Sequence, residues 1–220
     1  MAISDSKRLR IGVFGGTFDP IHRAHVQMAL DLGEAFALDE VRLLPCHIPP
    51  HRAAPGVSSV QRAEMVRLAL AQTGAENLRL DLRELNRESY SYTLDTLVGL
   101  REELGEEVCL CLCMGMDSLK NLDSWYRWEA LLDYCHILVA ARPGYERPEN
   151  GRIADWLAKN LGHHEDLECT SRGSVQVETC SLLPISATSI RERLLASQDV
   201  KNELFSTVKN YIEEQGLYRP

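Results

Sequence analysis

The segment from Leu9 to His25, LRIGVFGGTFDPIHRAH, carries the strongest indication of the fold. A β-rich run over residues 9–14 ends at two glycines, and apolar residues then recur at helical spacing over residues 26–37. In open α/β sheets, a strand that passes through glycines into a helix forms the ligand-binding edge. We expect Asp19 to cap this helix and Pro20 to lie in its first turn.

The rest of the chain alternates between short apolar runs and stretches with helical periodicity. Further strands are predicted at 41–46, 78–82, 108–114, 137–141 and 175–179, and further helices at 60–71, 94–104, 153–160, 187–196 and 204–215. This alternation predicts a Rossmann-like α/β fold, a doubly wound and mostly parallel sheet with helices on both faces. Residues 1–220 are expected to form a single domain, with 143–173 as a variable excursion and the C-terminal helices of 187–216 packed on it.

Composition limits the classes of partner. The 220 residues carry a net charge of −8, which argues against nucleic acid or an anionic membrane surface as the main partner. The longest apolar run, residues 108–116, is far shorter than the roughly 20 residues that span a bilayer. Cys109, Cys111 and Cys113 alternate, as on one face of a buried strand. We interpret the cysteines as reduced core thiols and expect a cytoplasmic protein.

The glycine segment predicts a phosphate site. Gly15 and Gly16 allow close backbone approach, and His22 and His25 project from one face near the positive end of the helix dipole. Neither a G-x-G-x-x-G sequence after the first strand nor a P-loop motif is present, which disfavours dehydrogenases and P-loop enzymes. A surface turn with solvent-exposed histidines is the simpler alternative. No third ligand lies near the pair in sequence, so we predict no metal site.

A second anion site is predicted where the last strand leads into the next helix. The segment Ile185–Arg191 places the hydroxyls of Ser186 and Thr188 at a helix start, with an arginine one turn later. By itself, this pattern also fits an ordinary helix cap followed by a solvent-exposed arginine.

Both segments resemble motifs of the nucleotidyltransferase superfamily. The first is similar to G-G-x-F-D-P-x-H-x-G-H, with Ala24 in place of the last glycine, and the second to I-S-[ST]-T-x-I-R, with Ala187 at a position that usually carries a hydroxyl. Three further segments resemble those of bacterial nicotinate mononucleotide adenylyltransferases. They are PCHIPPHR at 45–52, with Arg52 replacing lysine, SYTLDTL at 91–97, and GMDSL at 115–119 followed by Trp125-Tyr126.

The resemblance implies transfer of the adenylyl group of ATP to nicotinate mononucleotide, with His22, His25 and Arg191 as catalytic residues and Mg²⁺ delivered with ATP. It implies ATP contacts from Gly15, Gly16, Thr17, Phe18, His22, His25, Asp117, Arg142, Ile185, Ser186, Thr188 and Arg191. It implies mononucleotide contacts from Thr17, Arg52, Thr93, Gly115, Asp117, Trp125 and Tyr126. Local positive charge is expected from His22, Arg23, His25, Arg52, Arg142 and Arg191.

Two alternatives compete with this interpretation. Another adenylyl- or cytidylyltransferase of the superfamily, acting on nicotinamide mononucleotide or pantetheine phosphate, would share both anion sites. A nucleotide-binding regulator without turnover would share the fold. The sequence admits a homo-oligomer as well as a monomer.

Overall fold

Six strands form one parallel sheet in the computed structural model, which describes residues 8–48, 57–87, 90–144, 147–181 and 183–219. The strands are β1 (Arg10–Gly16), β2 (Glu40–Pro45), β3 (Leu78–Leu80), β4 (Cys109–Gly115), β5 (His136–Ala141) and β6 (Val175–Thr179). Their order is β3-β2-β1-β4-β5-β6, and every neighbouring pair is parallel. The predicted Rossmann-like, doubly wound sheet is confirmed.

Helices connect the strands. They are α1 (Arg23–Ala35), α2 (Ser59–Thr73), α3 (Thr93–Leu104), α4 (Met116–Lys120), α5 (Arg152–Asn160), α6 (Asp166–Cys169), α7 (Ala187–Leu195) and α8 (Ser206–Glu214). The sequence predicted the long helices, while α4 and α6 are too short to show a period. No helix among the described residues is long and apolar enough to cross a membrane.

Alternate side chains of β4 pack on opposite faces of the sheet. The predicted cysteine face, Cys109, Cys111 and Cys113, is buried in a cluster that also contains apolar residues of α1, α2 and α8. The intervening residues of β4 are buried in a second cluster with apolar residues of α3 and α5. A strand covered on both faces has no polar side to present, which explains why this run is continuously apolar.

Asp19 does not cap the first helix, so that prediction is wrong. Helix α1 begins at Arg23 with His22 as its N-cap residue, and Asp19 and Pro20 lie in the preceding loop. The Asp19 carboxylate instead accepts a hydrogen bond from Tyr218, near the C-terminus, at 2.6 Å. A partner 199 positions away cannot be inferred from the local sequence.

The strand order reverses between β1 and β4, which are neighbours in the sheet. The chain builds outward from β1 through β2 to β3, and from β4 through β5 to β6. At such a switch point, the connections after the two central strands leave in opposite directions and open a crevice at the carboxyl edge. Gly16 ends β1 and Gly115 ends β4. The predicted glycine segment and the predicted segment at 115–119 therefore border this crevice.

Candidate active site

The end of β1 has open space at Gly15. A β-carbon added at Gly15 would meet no atom within 4 Å, whereas one at Gly16 would lie 2.8 Å from the Phe18 ring. Phe18 has a φ of +49° and is buried, so its ring is held in place. The loop itself therefore requires glycine at position 16, while Gly15 leaves the strand end accessible to a ligand. The Phe18 side chain is buried in the first core cluster.

His22 and His25 are stacked, with ring centroids 3.6 Å apart and planes at 17°. The Phe18 and His25 rings form a perpendicular pair with centroids 5.2 Å apart, which supports His25. The backbone N–H of His22 donates to Nδ1 of His25 at 3.3 Å. Because Nδ1 accepts this bond, the proton of a neutral His25 lies on Nε2, which is left as a donor. Nδ1 of His22 is buried and has no hydrogen-bond partner among the described residues.

Both histidines are neutral at pH 7 in the folded protein. Burial lowers the pKa of His22 to about 4. Burial, and then the neighbouring His22, lower the pKa of His25 well below its ordinary value. The predicted positive charge of the cleft therefore does not come from the imidazoles. An anion placed against them would raise both pKa values, since an opposite charge favours the protonated form.

Arg191 reaches the same loop from α7. Its Nη1 donates to the backbone carbonyl of Asp19 at 2.7 Å and lies 3.9 Å from a carboxylate oxygen of Asp19. Its Nη2 donates to the Thr188 hydroxyl at 3.3 Å. Ser186 caps α7, its hydroxyl accepting from the backbone N–H of Ser189. The structure thus brings the two predicted anion segments together across the loop before α1. By contrast, the Arg23 guanidinium lies over the Phe205 ring, 4.9 Å from its centroid.

The ends of β4 and β5 carry the next group of predicted residues. Gly115 ends β4 and precedes α4, and Asp117 is exposed in the first turn of that short helix. A carboxylate there can accept two hydrogen bonds, as a ribose would offer. Arg142 is exposed directly after β5.

Aromatic side chains gather near the start of α3. The Tyr92 and Tyr126 rings lie 4.6 Å apart, which brings the segment 91–97 next to the Trp125-Tyr126 pair, and Thr93 is the first residue of α3. Trp125 is partly buried against the second core cluster, while Tyr126 is 46% exposed. The Ser91 hydroxyl accepts from the backbone N–H of His47, which ties the loop after β2 to this group. Arg52 and most of the loop 45–55 lie outside the described residues.

Arg62 is a site-supporting residue that the sequence analysis missed. Its side chain is 1% exposed, and its guanidinium donates to the carbonyls of Thr17 at 2.5 Å, Cys46 at 2.7 Å and His47 at 3.2 Å. It therefore joins the loops that follow β1 and β2. The signal was present, because Arg62 falls on the same face of α2 as the buried Val66.

The described residues of the site form no metal cage. Among the described residues, no group of three or more His, Cys, Asp or Glu side chains is placed to hold a metal ion.

Comparison with known proteins gives one family and consistent relatives. Residues 13–193 match the family model described as cytidylyltransferase-like. The chain is 45% identical over 212 residues to "Probable nicotinate-nucleotide adenylyltransferase" of Cellvibrio japonicus, covering 96% of this chain and 100% of the relative. It is 47% identical over 212 residues to the protein of the same name from Aeromonas salmonicida, covering 95% of this chain and 97% of the relative.

Solved structures share the fold. The chain is similar to a Plasmodium falciparum nicotinic acid mononucleotide adenylyltransferase complexed with NaAD, with a TM-score of 0.73 and 18% identity over 96% of this chain and 98% of the other. The same protein complexed with APC gives a TM-score of 0.70 and 17% identity, over 97% and 98%. At these identities, the likeness establishes the architecture alone.

Proposed function

The chain belongs to the cytidylyltransferase-like family, and we propose that it transfers the adenylyl group of ATP to nicotinate mononucleotide, giving deamido-NAD and pyrophosphate in NAD biosynthesis. The observation that carries the proposal is the stacked pair His22/His25 beside Arg191 at the carboxyl edge of β1. Stacked imidazoles at a helix N-terminus, with an arginine bound to the loop before that helix, suit the phosphates of a nucleotide at a switch point. The chain is 45% and 47% identical, over nearly its full length, to two proteins named "Probable nicotinate-nucleotide adenylyltransferase". This supports nicotinate mononucleotide as the acceptor.

The reaction needs no general base. The nucleophile is a phosphate oxygen of the mononucleotide, which is ionised at pH 7, so positioning and charge stabilisation account for the rate. Nε2–H of His25 is assigned to the oxygen that gains charge as pyrophosphate leaves. His22, with its unpartnered ring nitrogen, is assigned to the same phosphates. The approach of a polyanion makes protonation of the pair favourable, which strengthens these contacts as charge develops.

Arg191 and the first turn of α7 are assigned to the β- and γ-phosphates. A guanidinium can bind two phosphate oxygens at once, and the exposed hydroxyls of Ser186 and Thr188 lie at the positive end of α7. The open face at Gly15 lets the phosphates approach the backbone. Phe18 contributes by supporting the ring of His25.

The acceptor is assigned to the aromatic group at the start of α3. Trp125 is proposed to stack on the pyridinium ring, because a cationic ring is attracted to an aromatic face. Backbone N–H donors near Thr93 and Tyr126 are proposed to bind the 3-carboxylate, which accepts from every donor offered. Asp117 is proposed to accept from ribose hydroxyls.

Mg²⁺ is proposed to arrive on ATP. The described part of the chain supplies no cluster of carboxylates, and Mg²⁺ binds phosphate oxygens readily while retaining several waters. When bound, the ion neutralises phosphate charge. The protein's own part is to hold the phosphates through His22, His25 and Arg191.

We also propose that residues 1–220 act as one domain in the cytoplasm. All six described strands belong to one sheet, and the seven cysteines are free thiols, as in a reducing compartment.

The deciding experiment measures pyrophosphate release with ATP and each of three acceptors: nicotinate mononucleotide, nicotinamide mononucleotide and pantetheine phosphate. We expect rapid release with the first and a product that matches deamido-NAD by mass. Faster turnover of another acceptor would reassign the substrate within the family. ATP binding without turnover of any acceptor would favour the regulator hypothesis.

A further inference from the structure

The C-terminal turn places Tyr218 against the loop before α1. After α8 ends at Glu214, the chain reverses direction, with a φ of +62° at Gly216 and +56° at Tyr218. A left-handed backbone is uncommon for tyrosine and persists only where surrounding contacts compensate for it. The partly buried Tyr218 ring packs against the first core cluster. These features indicate a specific contact and not a loose chain end.

That contact is a hydrogen bond from the Tyr218 hydroxyl to one carboxylate oxygen of Asp19, at 2.6 Å. Burial and the Asp19 carboxylate raise the pKa of Tyr218, so its hydroxyl remains a donor throughout the physiological range. The Asp19 side chain is only 12% exposed, which limits competition from water.

Arg191 lies beside this pair without forming a short ion pair with the carboxylate. The other Asp19 oxygen lies 3.9 Å from Nη1 of Arg191, beyond hydrogen-bond distance, and the guanidinium instead contacts the Asp19 carbonyl and Thr188. A free aspartate beside an arginine would normally form two short parallel bonds. Arg191 also borders an open cavity of about 360 Å³, which gives its guanidinium room to turn.

We propose that Tyr218 is a positioning residue for ATP: its hydroxyl holds the Asp19 carboxylate and so prevents Asp19 from capturing Arg191. Arg191 then keeps the N–H donors that do not contact the Asp19 carbonyl and Thr188 available for the triphosphate. This inference rests on the proposed function through the assignment of Arg191 to the ATP phosphates. It makes the turn after α8 part of the ATP half of the site.

The test is Tyr218→Phe, which removes one oxygen and keeps the ring. The matched control is Tyr211→Phe, the same change on a partly buried tyrosine of α8. In Tyr218→Phe, we expect the KM for ATP to rise about three- to tenfold, the scale of one partly exposed charged contact. The KM for nicotinate mononucleotide and kcat are expected to stay within twofold. Tyr211→Phe is expected to match the wild type in the KM for ATP, the KM for nicotinate mononucleotide and kcat.

The double variant Tyr218→Phe/Asp19→Asn separates competition from anchoring. An amide at position 19 cannot form the ion pair with Arg191, so the KM for ATP should return toward the wild-type value. If Tyr218 served only to anchor the chain end, the second substitution would not restore ATP affinity. An unchanged KM for ATP in Tyr218→Phe, or an equal rise for both substrates, would overturn the proposal.

Direct titration with ATP keeps this test distinct from that of the proposed function. The ATP Kd, measured by calorimetry, should weaken in Tyr218→Phe by the same factor as the KM and recover in the double variant. If wild-type protein released no pyrophosphate yet showed this pattern of Kd values, the proposed reaction would fail and the role of Tyr218 would stand. Equal Kd values in all variants would refute the inference.

Discussion

Acidification should destabilise the protein through His22, and the size of the effect follows from its burial. His22 is 4% exposed, and its pKa in the folded state is about 4, against 6.5 in the unfolded chain. Below pH 6.5 the ring of His22 is protonated in the unfolded chain but stays neutral in the folded protein. Its contribution to stability is therefore complete above pH 6.5 and is lost as the pH falls toward 4. The difference between the two pKa values corresponds to about 3 kcal/mol of unfolding free energy. About 2.5 kcal/mol of this stability is lost between pH 7 and pH 4.5.

The measurement compares urea unfolding of wild-type protein and His22→Asn at pH 7 and pH 4.5. Asparagine is a favourable N-cap residue, so the variant retains the start of α1. Carboxylates contribute to acid sensitivity in both proteins and cancel in the comparison. The wild type should lose about 2.5 kcal/mol more than the variant over this interval.

The control is His163→Asn, which removes an exposed histidine side chain and should follow the wild-type pH dependence. Equal losses in wild type and His22→Asn would refute the reasoning, because they would mean that the ring of His22 is protonated as easily in the folded protein as in the unfolded chain. A larger loss in the variant would reverse the sign and point to a charged His22 in the native state.

Three further outcomes are expected. His25→Asn should reduce kcat in the pyrophosphate assay by about 10²–10³, because it removes a preorganised donor; a loss below threefold would remove His25 from the catalytic assignment. Arg62→Met should lower the free energy of unfolding by about 3–5 kcal/mol, seen as a lower urea midpoint, because it leaves three carbonyl oxygens without their charged donor; a change below 1 kcal/mol would contradict its role as the link between the two loops. Wild-type kcat/KM for nicotinate mononucleotide should exceed that for the nicotinamide form by about a hundredfold, and Trp125→Ala should weaken both while leaving the ratio nearly intact. Equal use of the two mononucleotides would refute the specificity.

Local patterns were sufficient for the architecture. Three features can be recognised from neighbouring residues alone. They are the continuous apolar run over β4, the alternation of strand and helix, and the glycines that end β1. These neighbours determine whether a segment becomes a strand or a helix and which face it buries. The sequence also predicted that His22 and His25 lie on one side of the helix start, because they are three positions apart, but their stacking depends on the extended backbone of His22 before α1.

Charge state and side-chain partners depended on the assembled molecule. Neutrality of His22 follows from its burial in the folded chain, which lowers its pKa. Asp19 is predicted from sequence as a cap, yet it binds Tyr218 and Arg191, which lie 199 and 172 positions away. Arg62 appears in sequence only as a charge on an apolar helix face, and its carbonyl partners exist only once β1 and β2 lie side by side. Helical and strand periods describe contacts over a few residues, whereas burial and long-range hydrogen bonds arise when distant segments meet, so only the tertiary structure could assign them.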